Sequence, residues 1–489
     1  MTVLAPELIY RNGAFHAGLA IEYDAGFGRI LRIAARDEFT EVVPLAGRAL
    51  LPGFVNAHSH AFQRLIRGRT QWRPTDGIGS DFWSWREAMY HAALSLSPDD
   101  VYAVSRFCFL EMLRAGITAV GEFHYLHNDP AGRPYDDRAE LAHRVIAAAR
   151  DVGMRIRLLN VCYATGAIGA PLRPEQRRFG TPVLDEFLRS TASLVDAYAA
   201  DPLVSIGVAP HSIRAVPSDW LRPLHEFAVQ HDLPFHMHVS EQPAEVDACV
   251  AAWGVRPVEL LHDRGVLDAR FTGVHATHIS DAEITLLARS DATVCACPGT
   301  ERDLGDGFLR AVDLASAGVC IALGTDSQTI IDMLEEMRLV EYHERLRRLE
   351  RVVVTGRPAG ATPRPRSSGQ IGNRLEREAL LGPTGRQLHP APLLLEMGTV
   401  AGARSLHVES GVLDPGALAD FVTVNLDDPT LAGWTRDSLA AMLALSAPSA
   451  VISDAVVAGR RTLQQRTHVG EDDVMHAFTI VARRLAEGA

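Results

Sequence analysis

The chain has 489 residues, 47% of them hydrophobic and 22% charged, with a net charge of −12 and a pI near 5.9. That length suits one large domain and a smaller one, and the apolar content excludes a disordered or fibrous protein. The acidic balance argues against a nucleic-acid or anionic-membrane binder. No run approaches the roughly 18 apolar residues of a membrane span, and the N-terminus has no secretory pattern. Six scattered cysteines exclude a disulfide scaffold, so a cytoplasmic protein is expected. All 48 basic residues are arginine, which removes Schiff-base lysines, P-loop lysines and lysine carbamates as chemical options.

Residues 1–50 alternate apolar and polar with Gly-rich turns, the texture of short antiparallel strands. From about residue 50 to 330, short apolar runs alternate with segments of helical period. The expected strands are Ala49–Val55, Ile117–Phe123, Ile156–Cys162, Val204–Ala209, Leu233–Val239, Phe271–His275, Ala292–Cys297 and Val319–Gly324. Between them lie expected helices at Asp100–Ala115, Arg138–Val152, Ser218–Gln230, Asp281–Arg289 and Leu309–Ala317, with Gly116, Gly153 and Gly318 at helix C-termini. Eight near-continuously apolar strands separated by helices read as parallel and covered on both faces. The α/β fold expected is a (β/α)8 TIM-like barrel. An open doubly wound sheet is the alternative, but no Gly-x-Gly-x-x-Gly follows an early strand. Residues 351–392, rich in Arg, Pro, Gly and Ser, read as a surface insertion whose Arg357, Arg364, Arg366 and Arg374 are solvated. Residues 411–466 return to the N-terminal texture, and Val474–Glu487 reads as a closing helix. The expected division is a small β-sandwich domain from 1–50 and 411–489 with that helix, and a barrel over 51–410.

Ligand-type residues recur at the expected strand ends. His58-Ser-His60 closes the first strand, and two histidines two apart in extended chain project to one side. Strand five carries His236 and His238 on one face, with Glu241 just beyond. Strand six ends in His275-Ala-Thr-His278, and strand eight in Asp326. Any one of these has an ordinary structural explanation: a core histidine, or an aspartate capping a helix. Four strand ends that face one barrel mouth point instead to a metal site. Cys295-Ala-Cys297 reads as strand-seven core.

With its expected sandwich of both termini, this pattern resembles the amidohydrolase superfamily over nearly the whole chain. More narrowly, Asn56–Arg64, Phe82–Tyr90, Glu122–Tyr125, His211–Val216, Val239–Asp247 and Leu304–Gly307 resemble the N-formimino-L-glutamate deiminases of histidine degradation. The resemblance implies one divalent metal, zinc or else iron(II), on His58, His60, His238 and Asp326. A single ion agrees with the missing lysine, since binuclear members bridge their metals with a carbamylated one. Glu241, His275 and Asp326 are implied as the catalytic groups. Gln63, Arg86, Tyr125, His211 and Arg214 are implied as the substrate-binding set for a small dicarboxylate. A homodimer is expected by analogy.

The implied reaction is hydrolysis of N-formimino-L-glutamate to N-formyl-L-glutamate and ammonia. Deamination of a guanine, adenosine or triazine ring is the alternative within the superfamily, and a silent metal-binding scaffold is the alternative outside catalysis. Two guanidiniums discriminate against a flat base, and Glu241 and His275 are not needed merely to hold metal. The family carries a histidine where this chain has Gln328, and Thr-Glu-Ala-Asn where it has Thr300-Glu301-Arg302-Asp303. These departures bear on substrate detail.

Overall fold

A computed structural model describes residues 1–73, 80–355 and 389–487. The expected 351–392 insertion, with its four arginines, lies for the most part outside the described residues. Eight parallel strands form the central sheet: β6 (Phe54–Ser59), β7 (Ile117–His124), β8 (Arg155–Cys162), β9 (Val204–Pro210), β10 (Phe235–Val239), β11 (Phe271–His275), β12 (Thr293–Ala296) and β13 (Cys320–Leu323), each beside the next. All are nearly wholly buried, as strands covered by helices on one side and packed around an axis on the other must be. The seam between β6 and β13 is joined at the mouth. There His60 N–H donates to Asp326 O and Asp326 N–H to His58 O, both at 3.0 Å.

The terminal segments form a separate eight-stranded sheet. β1 (Thr2–Arg11) pairs in parallel with β5 (Val43–Pro52), which pairs antiparallel with β14 (Phe421–Asn425). β15 (Ile452–Val457) and β16 (Arg460–Leu463) extend one side. β3 (Leu19–Asp24) and β4 (Arg29–Ala35) extend the other, with β2 (Ala14–Ala17) also on β1. One face of this sheet, with Leu8, Ala49 and Leu51, joins the barrel's core. The other, with Ile9, Leu50 and Phe421, has its own apolar cluster. Arg155 of β8 makes a buried bidentate pair with Asp420 at 2.7 and 3.1 Å, tying barrel to sheet. No helix among the described residues is long and apolar enough to cross a membrane.

The expected strand Ala49–Val55 is in fact two. The apolar run spans the end of β5 and the start of β6, and the chain passes between sheets at Gly53, where a Cβ would strike Thr118 Oγ1 at 2.0 Å. Uniform hydrophobicity hides the crossing. As a result His58 and Ser59 lie inside the first barrel strand and His60 immediately after it.

Candidate active site

The strand ends bring the expected cluster together at the barrel mouth. His58 Nε2 lies 3.1 Å from His60 Nε2 and 3.1 Å from His238 Nε2. Asp326 Oδ1 lies 3.3 Å from His58 Nε2 and 3.2 Å from His60 Nε2. His60 Nδ1–H donates to Phe123 O and His238 Nδ1–H to His211 O, both at 3.0 Å. Those bonds assign the ring protons to Nδ1, so the Nε2 lone pairs of His60 and His238 point at each other's neighbourhood. Converging lone pairs repel unless a cation lies among them. A tetrahedral ion with bonds of about 2.0–2.1 Å spaces its ligand atoms about 3.3 Å apart, which these distances match. Burial drives the pKa of His58 down to about 4 and holds that of His238 well below the usual imidazole value, leaving both rings neutral. Burial also works against the Asp326 carboxylate, but the neighbouring His58 and His60 outweigh this and hold its pKa low.

Beside the cluster, His275 Nε2 faces Asp326 Oδ2 at 3.8 Å and Glu241 Oε1 at 3.6 Å. Burial opposes a charged His275, yet Glu241, Glu301 and Asp326 together raise its pKa well above the ordinary value. Its Nδ1 is 3.4 Å from Glu301 Oε1, and that oxygen also accepts the Cys297 N–H at 2.9 Å. Burial raises the pKa of Glu241, with His275 and Arg214 working against the rise.

A cavity of about 610 Å³, partly open to solvent, leads to this cluster, and Gln63, Arg86, Tyr125, His211 and Arg214 all line it. The two arginines differ. Arg86, on helix α1 (Phe82–Leu94), stacks over Trp83 at 4.6 Å; among the described residues its nearest carboxylate, Glu87, is 3.9 Å away and its buried Nε has no partner. Arg214, in the loop after β9, already faces Glu241 Oε2 at 3.4 Å and Glu245 Oε2 at 3.1 Å. Gln63 Nε2 lies 2.8 Å from Tyr125 Oη.

Two histidines of the motifs stand apart from the cluster. His236 shares a face with His238 but sits deeper, where its Nε2 meets Ser405 O at 2.8 Å. His278 Nε2 bonds Asp306 O at 2.7 Å. Cys295 and Cys297 belong to a buried apolar cluster with Ala57, Val274 and Ala322, although Cys297 Sγ comes within 4.8 Å of ligand atoms on His275 and Asp326.

Sequence reasoning passed over several neighbours. Glu301 orients His275. Glu122 accepts Ser59 Oγ–H at 2.5 Å and Ala61 N–H at 2.7 Å, bracketing His60. Gln328 donates to Ser59 Oγ at 2.9 Å and to Asp326 O at 2.8 Å. Glu301 and His275, Glu122 and Ser59, and Gln328 and Ser59 are 26, 63 and 269 residues apart, so no local motif announces these contacts.

A (β/α)8 barrel whose strand ends gather three imidazoles and a carboxylate, with an acid and a charged histidine alongside, is built as a metal-dependent hydrolase. The family model of the amidohydrolase family matches residues 49–359, and the chain belongs to that family, as a hydrolase acting on carbon–nitrogen bonds. It is 36% identical over 447 residues to a formimidoylglutamate deiminase of Pseudomonas aeruginosa, covering 90% of each chain. It is 27% identical over 497 residues to a 5-methylthioadenosine/S-adenosylhomocysteine deaminase of Natronomonas pharaonis, covering 99% of this chain and 97% of the other. The crystal structure of an amidohydrolase from Brucella melitensis superimposes with a TM-score of 0.85 at 30% identity, covering 99% of this chain and 100% of that one.

Proposed function

We propose that the protein hydrolyses N-formimino-L-glutamate to N-formyl-L-glutamate and ammonia, as the name of its Pseudomonas aeruginosa relative suggests. The observation that carries this reading is Arg86, an almost unneutralised guanidinium facing the cavity that leads to the His58–His60–His238–Asp326 cluster. A half-buried cation whose carboxylate neighbour among the described residues, Glu87, is 3.9 Å away and shared with Arg173 calls for an anionic ligand, which a purine does not supply.

His58, His60, His238 and Asp326 would hold one divalent ion, zinc by preference, with iron(II) compatible with the same donors. When bound, such an ion lowers the pKa of water and polarises the group under attack. Asp326 Oδ2, turned towards His275 rather than the imidazole cluster, accepts the proton of the attacking water with His275 beside it. Water adds to the formimino carbon, and its C=N bond becomes single. The departing nitrogen takes up two protons, one delivered by Glu241 and one that leaves the new hydroxyl as the formyl C=O forms; the C–N bond breaks, ammonia leaves, and the proton held on Asp326 restores Glu241. Arg86 and Arg214, with Gln63, Tyr125 and His211, hold the two carboxylates while this occurs.

Ammonia release tests the reading, with N-formimino-L-glutamate, guanine, adenosine and 5-methylthioadenosine assayed side by side. Formiminoglutamate is expected to be the preferred substrate by kcat/KM. Preference for a nucleoside or base would overturn the proposal.

A further inference from the structure

Tyr90 and Tyr163 line the cavity beside Arg86 and Arg214, and the reaction just described gives them no task. Their phenol oxygens are 3.4 Å apart. Behind them the buried Gln176 places Nε2 3.1 Å from Tyr90 Oη, 3.0 Å from Tyr163 Oη and 3.3 Å from Gly166 O. The other end of this amide fixes its direction, because Oε1 accepts the backbone N–H of Arg173 at 3.0 Å. Nε2 is therefore a donor and cannot accept. Neither phenol can direct its hydrogen at Gln176, and the pair can use one hydrogen between themselves at most. At least one O–H must find its acceptor in the cavity. Burial raises the pKa of Tyr163, so its hydroxyl stays protonated.

The rest of this wall has the same polarity. The only carboxylates among the described lining residues are Glu241 and Asp326, both beside the imidazole cluster, and Arg86 stands over the Tyr90 ring at 5.5 Å. The wall formed by Tyr90, Tyr163 and Arg86 thus offers donors and a guanidinium to its occupant. We propose that Gln176 holds Tyr90 and Tyr163 as hydroxyl donors which, together with Arg86, form the pocket for one carboxylate of a dicarboxylate substrate. This deepens, and rests on, the substrate class proposed above. Tyr90 and Tyr163 determine specificity by touching the ligand; Gln176 is a positioning residue that acts through them.

The test uses the purified full-length protein with its metal, together with the Tyr163→Phe and Gln176→Glu variants. Binding of glutarate, which carries both carboxylates and no reacting group, is measured by calorimetry, and ammonia release from formiminoglutamate is measured separately. In Gln176→Glu the new carboxylate can still accept the Arg173 N–H but also accepts phenol hydrogens, turning them out of the cavity. Each variant should bind glutarate about 10- to 100-fold more weakly, the range expected for a lost hydrogen bond to a charged group. KM should rise by a similar factor with kcat changed far less, a split that a general structural defect would not give.

Unchanged glutarate affinity in both variants overturns the pocket, as does a wild type that binds no glutarate. A wild type that binds glutarate through these residues but releases no ammonia from formiminoglutamate supports the pocket and overturns the substrate instead.

Discussion

Replacing Arg86 and Arg214 in turn by methionine should separate two roles that the sequence presents as one. Arg86 leans on Trp83 and, among the described residues, has no carboxylate nearer than 3.9 Å, so its loss should remove contacts to the ligand and little else. A charge-assisted hydrogen bond is worth about 1.5–3 kcal/mol. KM for formiminoglutamate should therefore rise by about 10- to 150-fold, with kcat nearly kept. Arg214 faces both Glu241 and Glu245, and the Glu245 side chain is fully buried. Without the guanidinium, both carboxylates lose their stabilising cation, and Glu241, already raised by burial, titrates higher still. Here kcat should fall along with the rise in KM, and the alkaline limb of the rate profile, where Glu241 loses the proton it must deliver, should move to higher pH.

The stability consequence has a definite sign. Groups whose folded pKa is raised hold protons that the unfolded chain has already released above its ordinary carboxylate pKa. Arg214→Met should thus lose melting temperature relative to wild type as pH rises through the neutral range. Breaking one side of a buried pair costs about 3–5 kcal/mol, so the shift should be plain. The assay is initial-rate ammonia release against formiminoglutamate and formiminoglycine over a pH series, with a thermal melt at each pH. Formiminoglycine lacks the second carboxylate, so it should be indifferent to whichever arginine held that group. Two variants that raise KM alike, with kcat and pH profile unmoved, would refute the division.

Elemental analysis of protein purified without chelators should give about one divalent ion per chain, and two tightly held ions would sink the argument from the missing lysine. Glu241→Gln should retain metal and substrate binding while losing about 10²–10⁴ in kcat, the usual contribution of a general acid or base; near-normal turnover would mean that another group carries the proton. Asp306, pushed by burial from 3.8 to about 9, keeps a proton in the folded state that the unfolded chain sheds above pH 3.8, so it costs stability increasingly as pH rises towards 9. Asp306→Asn should therefore gain melting temperature over wild type at the alkaline end and match it in acid, and a constant offset would contradict this. Arg155→Met leaves Asp420 buried without its guanidinium and should cost about 3–5 kcal/mol in denaturant unfolding, with kcat/KM of the folded fraction unchanged.

What could be read from the sequence was whatever depends on near neighbours in the chain. Phe271–His275 and Asp281–Arg289 have the bounds expected of them, the helix starting where Ser280 accepts the Glu283 N–H. The convergence of His58, His60, His238 and Asp326 was legible because each stands at an apolar strand's end, and the barrel brings strand ends together. Helix Met333–Arg348 was not read, since its row of arginines and glutamates masks the apolar face. Contacts across the fold were invisible for a different reason. Glu122 and Ser59 are 63 residues apart, and Gln176 and Tyr90 are 86 apart. Nothing in either local segment distinguishes such a glutamate or glutamine from a solvated one. The same limit applied to Arg214, whose loop position could be read but whose two carboxylate neighbours could not.

The barrel's seam and its chemistry are built from the same residues. The hydrogen bonds that join β6 to β13 at the mouth run between the backbones of His58, His60 and Asp326, whose side chains supply three of the four converging donor atoms. A polar chain reinforces the junction. Thr325 and Asn56 exchange bonds at 2.7 and 3.0 Å, Thr325 Oγ–H donates to Gln328 Oε1 at 2.8 Å, and Gln328 passes on to Ser59 and thence to Glu122. The backbone is strained at these strand ends: Ser240, His275, Ala276, Asp326 and Gln328 all have positive φ, at a cost of order 1–3 kcal/mol each for residues with side chains. Gly324 has no room for a Cβ, which would meet His58 Cβ at 2.8 Å and Cys297 Sγ at 3.0 Å. Strain of this kind persists only where the surroundings over-determine it, and a buried polar chain closing a barrel supplies that constraint. The backbone positions of His58, His60 and Asp326 are therefore fixed by the closing of the barrel. Gln328 is a member of that closing chain and is not among the described residues that line the cavity, so it bears on how the β6–β13 junction is held.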